Sequence, residues 1–462
     1  MFVSLESATN LFQVGAVTVL DPSTAPPGAP PPHEALRRVL EDRLDRLGPF
    51  CRRVVTAPGG IDHPRWVACR PDLDRHVRRA ALPGPGSDVE LARFTADVLS
   101  RPLDRARPLW EIHVVEGLEG GLVAGVAKIH HSAIDGVAGT EVTAQLMDLE
   151  PLPVPERPSS VVRTEDGPSL AGLVRDAALS AARRAVPTAR LGGRMVAAGL
   201  QLRGRNRHMA GDPPPAPFAA PRTRFNALAG STRAAAFARI DRADVDTVRT
   251  VTGATVNDVI LAVSGTALRR YLAERDELPD TSLTAFVPKS VRSAADTLDT
   301  GVNRLSGMLV SLATDRPDPL RRLLAVSASS HVAKEQERVL GEDLMGELAE
   351  IGVPALLAPV GRLVRGLRLL ERRPPFTVVV SSFPGPPFPL FCAGAEMLAY
   401  HPFGPVIDGA TVNITAMSYR DHIGFGLLAC RDAVPDVEVL GHFVSDAMSE
   451  LAKSAANAGG RG

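Results

Sequence analysis

Two adjacent histidines, His130 and His131, close an apolar run that starts at Leu122, and Asp135 and Gly136 follow a few residues later. A neutral imidazole with a pKa near 6.5 takes a proton from an alcohol and later returns one to a leaving group, so the pair points to general-base chemistry. His131 and Asp135 stand four residues apart across a turn, where the carboxylate either orients the imidazole or folds back onto the scaffold. Gly136 suits a turn that needs an unusual backbone angle or close packing. A buried histidine pair beside a capping aspartate would show the same spacing with no chemistry attached.

The elements around the pair must hold it still. Leu122, Val123, Val126 and Ile129 are apolar or β-branched, the run is short, and Gly120-Gly121 and Gly136 bound it, which predicts a buried strand. Before it, Gln13 to Leu20 reads as a strand, His33 to Leu44 and Val89 to Leu99 as amphipathic helices, and Cys51 to Val55 and Arg65 to Cys69 as two short strands. Glu111, Ile112 and His113 alternate along a further strand, headed by Trp110. Val137 to Leu149 reads as the helix that closes this half.

A second half opens with a strand over Arg233 to Ile240 and a helix over Arg242 to Val251. Thr255 and Asp258 form a capping-box pattern, with Val256, Val259, Ile260, Val263, Ala267 and Tyr271 on one apolar face. Asn257 lies in the first turn of that helix, where free N–H groups favour polar side chains. Leu283 to Pro288, Leu305 to Leu312, Phe376 to Val380, Thr411 to Tyr419 and Gly424 to Ala429 read as strands, and Leu320 to Arg338 and Leu440 to Ala456 as helices. Between the halves, 151–225 reads as a Pro-rich and basic helical linker, leaving domains at 1–150 and 226–462.

The string HHSAIDG resembles the HHxxxDG signature of the bacterial wax ester synthase/diacylglycerol acyltransferase family. The Pro108-Leu109-Trp110 block, the Asn257-Asp258 pair and the Ser381-Ser-Phe-Pro-Gly-Pro386 segment resemble that family's PLW, ND and SNVPGP blocks in order. Weaker echoes include Arg65-Trp66, Val287 to Arg292, Ser418-Tyr419 and Gly424-Phe425-Gly426. The resemblance implies a mixed α/β fold of two chloramphenicol-acetyltransferase-like halves with the active site in a channel between them. It implies transfer of a long-chain acyl group from acyl-CoA, as co-substrate, to a diacylglycerol or long-chain alcohol, with no metal and no further cofactor.

In that scheme His131 is the base, His130 a local support or channel wall, and Asp135 a structural aspartate that pairs with an arginine. Gly136, Asn257, Trp110 and Ser382 are the expected substrate-binding positions, with Asn257 a donor to the oxyanion and Trp110 either packed in the core, the commoner place for a large aromatic, or shaping an acyl channel. Ser382 stands where the family carries Asn, a smaller group with one donor fewer. That change leaves open an acyltransferase for a specialised natural-product acceptor, or a lipid-binding relative that has lost turnover.

At 462 residues the chain is long enough for two cores, and 52 basic residues cancel 52 acidic ones, against a nucleic-acid footprint. Four scattered cysteines without CxxC spacing indicate neither a zinc cage nor a disulfide framework. The N-terminus carries no signal-peptide pattern, and the prolines inside the charge-free stretch from Pro374 to Ala395 forbid a spanning helix, so a cytoplasmic protein is expected. Ser169 to Ala210 holds eight Arg against one Asp, and Pro359 to Arg373 is a second basic amphipathic stretch. Both suit either a solvated face or peripheral docking on an anionic membrane or a lipid inclusion. Oligomeric state is not legible.

Overall fold

The computed structural model describes residues 2–134, 136–151, 164–180, 215–290, 305–340 and 354–459. Its strands are β1 (Gln13–Asp21), β2 (Arg52–Val55), β3 (Arg65–Ala68), β4 (Val77–Ala81), β5 (Trp110–Glu116), β6 (Val123–His130) and β7 (Arg233–Asp241). They continue with β8 (Thr284–Ser290), β9 (Leu305–Ser311), β10 (Val378–Phe383), β11 (Phe391–Cys392), β12 (Ala395–Phe403), β13 (Val412–Tyr419) and β14 (His422–Cys430). One six-stranded sheet runs β11-β12-β1-β6-β5-β4, a second runs β7-β14-β13-β10-β8-β9, and β2 and β3 pair as a ribbon.

In the first sheet β1 lies antiparallel between β6 and β12, and β5 lies antiparallel to β6. Residues alternate across a strand, so Val123, Gly125, Ala127 and Ile129 of β6 share one face and Lys128 and His130 the other. Lys128 is fully buried on that outer face, pairs with Glu111 across the sheet, and donates to the carbonyls of Val98 and Arg101, each at 3.0 Å. Those carbonyls end the helix Asp88–Ser100, which Ser87 and Glu90 cap at its start. The cation and its partners therefore pin the middle of β6 and with it the height at which the histidines emerge.

The second lobe is built on a larger core around the helix Val256–Ala273, against which Pro319–Leu340 and Val437–Gly459 pack. Thr255 caps that helix as the spacing predicts: its Oγ donates to Asp258 Oδ2 at 2.8 Å and accepts from the Asp258 N–H at 3.2 Å. Asp258 is buried beneath Ser327, whose hydroxyl donates to it at 3.2 Å, so its role is to hold the helix start.

The division at 225 does not separate the sheets. β11 and β12 come from the C-terminal half yet complete the first sheet, because β1 offers β12 a full antiparallel edge. The same strand crosses the second sheet: a side chain at Gly424 or Gly426 would strike the carbonyl of Tyr400 or Pro402. These two glycines permit the close crossing that ties the lobes together. No single helix among the described residues is long and apolar enough to cross a membrane.

Candidate active site

A cavity of about 990 Å³ lies between the two sheets, at the upper end of the size range for ligand sites. In the first lobe it is walled by the odd-numbered residues of β6, by Ala16, Thr18 and Leu20 of β1, and by Ala35 and Leu36 under the helix Pro32–Arg43. In the second it meets Phe286, Ser381, Ser382, Asn413 and Thr415. Most of the lining is hydrocarbon, and among the described residues Lys289 is the one Lys, Arg, Asp or Glu that lines it.

His131 stands in this wall where the alternation of β6 brings it, past Ile129 and on the same face. Its backbone N–H extends the ladder by donating to the Phe12 carbonyl at 2.7 Å, and Phe12 holds that carbonyl in a left-handed conformation (φ 47°). The imidazole Nδ1 lies 2.9 Å from the Ile134 carbonyl, which accepts only, so Nδ1 carries a proton. The Phe2 ring stacks on the imidazole at 4.8 Å with the planes 3° apart, fixing the ring from its other face. An imidazole oriented in this way is suited to proton transfer through its other nitrogen.

His130 points the other way. Its Nδ1 accepts from the Ser132 N–H at 3.1 Å and lies 2.6 Å from the Ser132 hydroxyl, while Nε2 stands 3.7 Å from Glu6, beyond hydrogen-bond reach. Burial, aided by His131 and Arg105 nearby, pushes its pKa down to about 3, so the ring is neutral. Glu6 is held in turn by Arg105, which donates to it at 2.8 Å. Arg105 also donates to the Val3 carbonyl at 2.9 Å, so it is this arginine that ties down the N-terminal segment beside His130.

Asp135 lies outside the described residues. Gly136 begins the helix Gly136–Leu146, whose Gly139, Val142, Thr143 and Leu146 line the cavity. Trp110 is not a lining residue: it is 1% exposed, stacked between Phe50 at 4.2 Å and His76 at 4.4 Å, with its indole N–H donated to the Phe50 carbonyl at 3.0 Å. Phe50 itself faces the cavity, so the indole supports that wall from behind.

Ser382 reaches the cavity and Asn257 does not line it. The Ser382 hydroxyl donates to Asn257 Oδ1 at 2.9 Å, so the asparagine backs the serine instead of facing the channel as a direct oxyanion donor. The strand read as ending at Val380 runs on as far as Phe383, because Ser381, Ser382 and Phe383 pair in parallel with Thr415, Ala416 and Met417 of β13. Beyond it Gly385 donates its N–H to the Ser418 hydroxyl at 3.1 Å and lies too close to the Ser418 carbonyl to carry a side chain.

Sequence reasoning missed Asn413 and Thr415, which face the cavity from β13. Asn413 Oδ1 accepts from Thr415 Oγ at 2.7 Å and from the Gly404 N–H at 3.2 Å, holding the strand crossing closed. Their signal was the alternation of Asn413 and Thr415 with Val412, Ile414 and Ala416. Among the described residues no group of three or more His, Cys, Asp or Glu side chains is gathered as a metal ion would need.

Comparison with known proteins places this geometry in a family. The model of the wax ester synthase/diacylglycerol acyltransferase catalytic domain matches residues 1–260, and that of the C-terminal domain of the same group matches 302–452. A relative named probable diacylglycerol O-acyltransferase tgs2, from Mycobacterium tuberculosis, is 34% identical over 98% of this chain and 97% of its own. The solved wax ester synthase/diacylglycerol acyltransferase of Marinobacter aquaeolei VT8 superposes with a TM-score of 0.69 at 27% identity, covering 98% of this chain and 97% of that one. The first condensation domain of the CDA synthetase shares the fold, with a TM-score of 0.53 at 18% identity over 97% and 92% of the two chains.

Proposed function

Since the chain belongs to the wax ester synthase/diacylglycerol acyltransferase family and is an acyltransferase, we propose that it moves a long-chain acyl group from acyl-CoA to the hydroxyl of a diacylglycerol or long-chain alcohol, with His131 as the base. The observation that carries this reading is the His131 imidazole in the wall of an apolar cavity, its Nδ1 tied to the Ile134 carbonyl.

In this mechanism Nε2 takes the hydroxyl proton as the oxygen attacks the thioester carbon. The tetrahedral oxyanion is met by hydroxyl donors of the facing wall, Ser381 among them, in a site where little water competes. Collapse breaks the C–S bond, and the imidazolium returns its proton to the departing thiolate. No metal or added cofactor takes part in the scheme. Lys289, an exposed cation at the cavity edge, suits the phosphates of the donor.

The acceptor is a lipid, and a lipid surface has a matching face on the protein. On the helix Pro354–Gly366 and just past it, Val360, Leu363 and Leu367 are 57%, 60% and 49% exposed, flanked by Arg362 and Arg368. Apolar side chains at that spacing beside arginines suit an anionic lipid interface. The same helix touches the segment Phe2–Leu5, whose Phe2 covers His131. Peripheral docking there would bring the bilayer to the base.

An acyl-CoA assay with hexadecanol, diacylglycerol and short polar alcohols, monitoring free thiol, tests the reading. Thiol release with the lipid acceptors supports it. Release confined to polar acceptors would assign a natural-product substrate, and no release with any acceptor would contradict enzymatic turnover.

A further inference from the structure

Gly125 occupies the middle of β6, in register with Thr18 of β1 and Val114 of β5, and all three line the cavity. Nothing in its backbone calls for glycine, since it is not among the residues with positive φ. Crowding does not call for it either: a Cβ built there meets no heavy atom within 4 Å. Gly424 and Gly426 differ sharply, because each lies against a carbonyl of β12. Glycine inside a strand is less stable than alanine, so at Gly125 the sequence gives up stability for empty space.

That space is on the same face as the base. Gly125 and His131 are six residues apart along an extended strand, roughly 20 Å at the usual rise per residue. A zigzag chain of carbon bonds of about 1.5 Å advances about 1.25 Å per atom, so about sixteen carbons span the interval. The neighbours on this face, Ala16 and Ala127, are in register with each other and small, and lie between Gly125 and the imidazole.

We propose that Gly125 holds open the far end of a hydrocarbon tunnel and thereby sets the length of the straight chain accepted by the enzyme. The proposal rests on the reading that a lipid substrate reacts at His131. The chain belongs either to the acyl donor or to the alcohol acceptor, which present the same hydrocarbon to the wall.

The test compares the full-length protein with Gly125→Ala, Gly125→Val and Gly125→Leu. One arm varies the donor from octanoyl-CoA to palmitoyl-CoA with hexadecanol fixed, and the other varies the alcohol from octanol to hexadecanol with palmitoyl-CoA fixed. In the arm whose chain fills the tunnel, Gly125→Leu should lower kcat/KM for the long substrate relative to the short one by about tenfold or more, since a methylene or two displaced from an apolar pocket is worth that much. Gly125→Val should fall between, and Gly125→Ala near the parent. A long-to-short ratio unchanged within about twofold in both arms would overturn the proposal while leaving the acyltransferase reading intact. A parent protein without thiol release fails that reading instead, and displacement of a fluorescent fatty acid by palmitate against octanoate then reads the tunnel directly. Should Gly125→Leu not fold, the order parent, Gly125→Ala, Gly125→Val carries the same comparison.

Discussion

The hydroxyl of Ser382 donates to Oδ1 of Asn257 across 2.9 Å, joining the end of β10 to the first turn of the helix Val256–Ala273, 125 residues earlier in the chain. The bond places the serine in the cavity wall and the asparagine behind it, so the two act as one support.

A double-mutant cycle over Ser382→Ala and Asn257→Ala tests that pairing. Each single variant loses the same hydrogen bond, worth about 1 kcal/mol, and should lower kcat/KM about fivefold. The double variant should fall little further than either alone; independent, additive losses would show that the asparagine reaches the substrate by itself.

Acid should weaken the fold through buried histidine rings, since burial lowers the pKa of His76, His130, His401 and His422. Burial holds His130 at about 3 and His401 at about 4, both below the ordinary value near 6.5. Below that ordinary value the unfolded chain binds protons that the folded protein refuses. Stability is therefore whole above pH ~6.5 and falls by about 1.4 kcal/mol per pH unit for each ring as pH drops, until pH ~4 for His401 and ~3 for His130. Urea midpoints at about pH 7.5, 6 and 5 should show the slope, and His401→Gln should remove part of it. An equal slope in that variant would assign the acid sensitivity elsewhere.

Docking through the exposed helix is read by sedimentation with anionic vesicles. Leu363→Glu should release most of the bound protein, and binding by the parent should drop between low and high salt as the arginine contribution is screened. Binding unaffected by Leu363→Glu would move the lipid contact off this helix.

Much of the site was legible because its information is local. The apolar run ahead of His130 makes β6, and its two-residue period decides which histidine faces the cavity: His131 follows Ile129 inward while His130 follows Lys128 outward. The capping box at Thr255 is similarly contained in four residues. What stayed hidden depends on distant partners. β12 carries Pro402, which argues against a strand until β1 supplies one paired edge and the two-residue β11 leaves the other side open there. The strand read as ending at Val380 takes in Ser382 only through its parallel pairing with β13. Trp110 follows the core-packing reading: Phe50 and His76, from elsewhere in the chain, bury it. The first basic stretch is described only in part: over 170–180 it docks by Leu173, Ala177 and an Arg65–Asp176 ion pair at 2.8 Å, and 181–210 lies outside the described residues.

The most direct test of the account is thiol release by His131→Ala with palmitoyl-CoA and hexadecanol, beside a melting curve of the same protein. Loss of a general base predicts a fall of about 100-fold or more in kcat with the melting temperature little changed. A folded variant that retains most of the parent rate would contradict the assignment of His131.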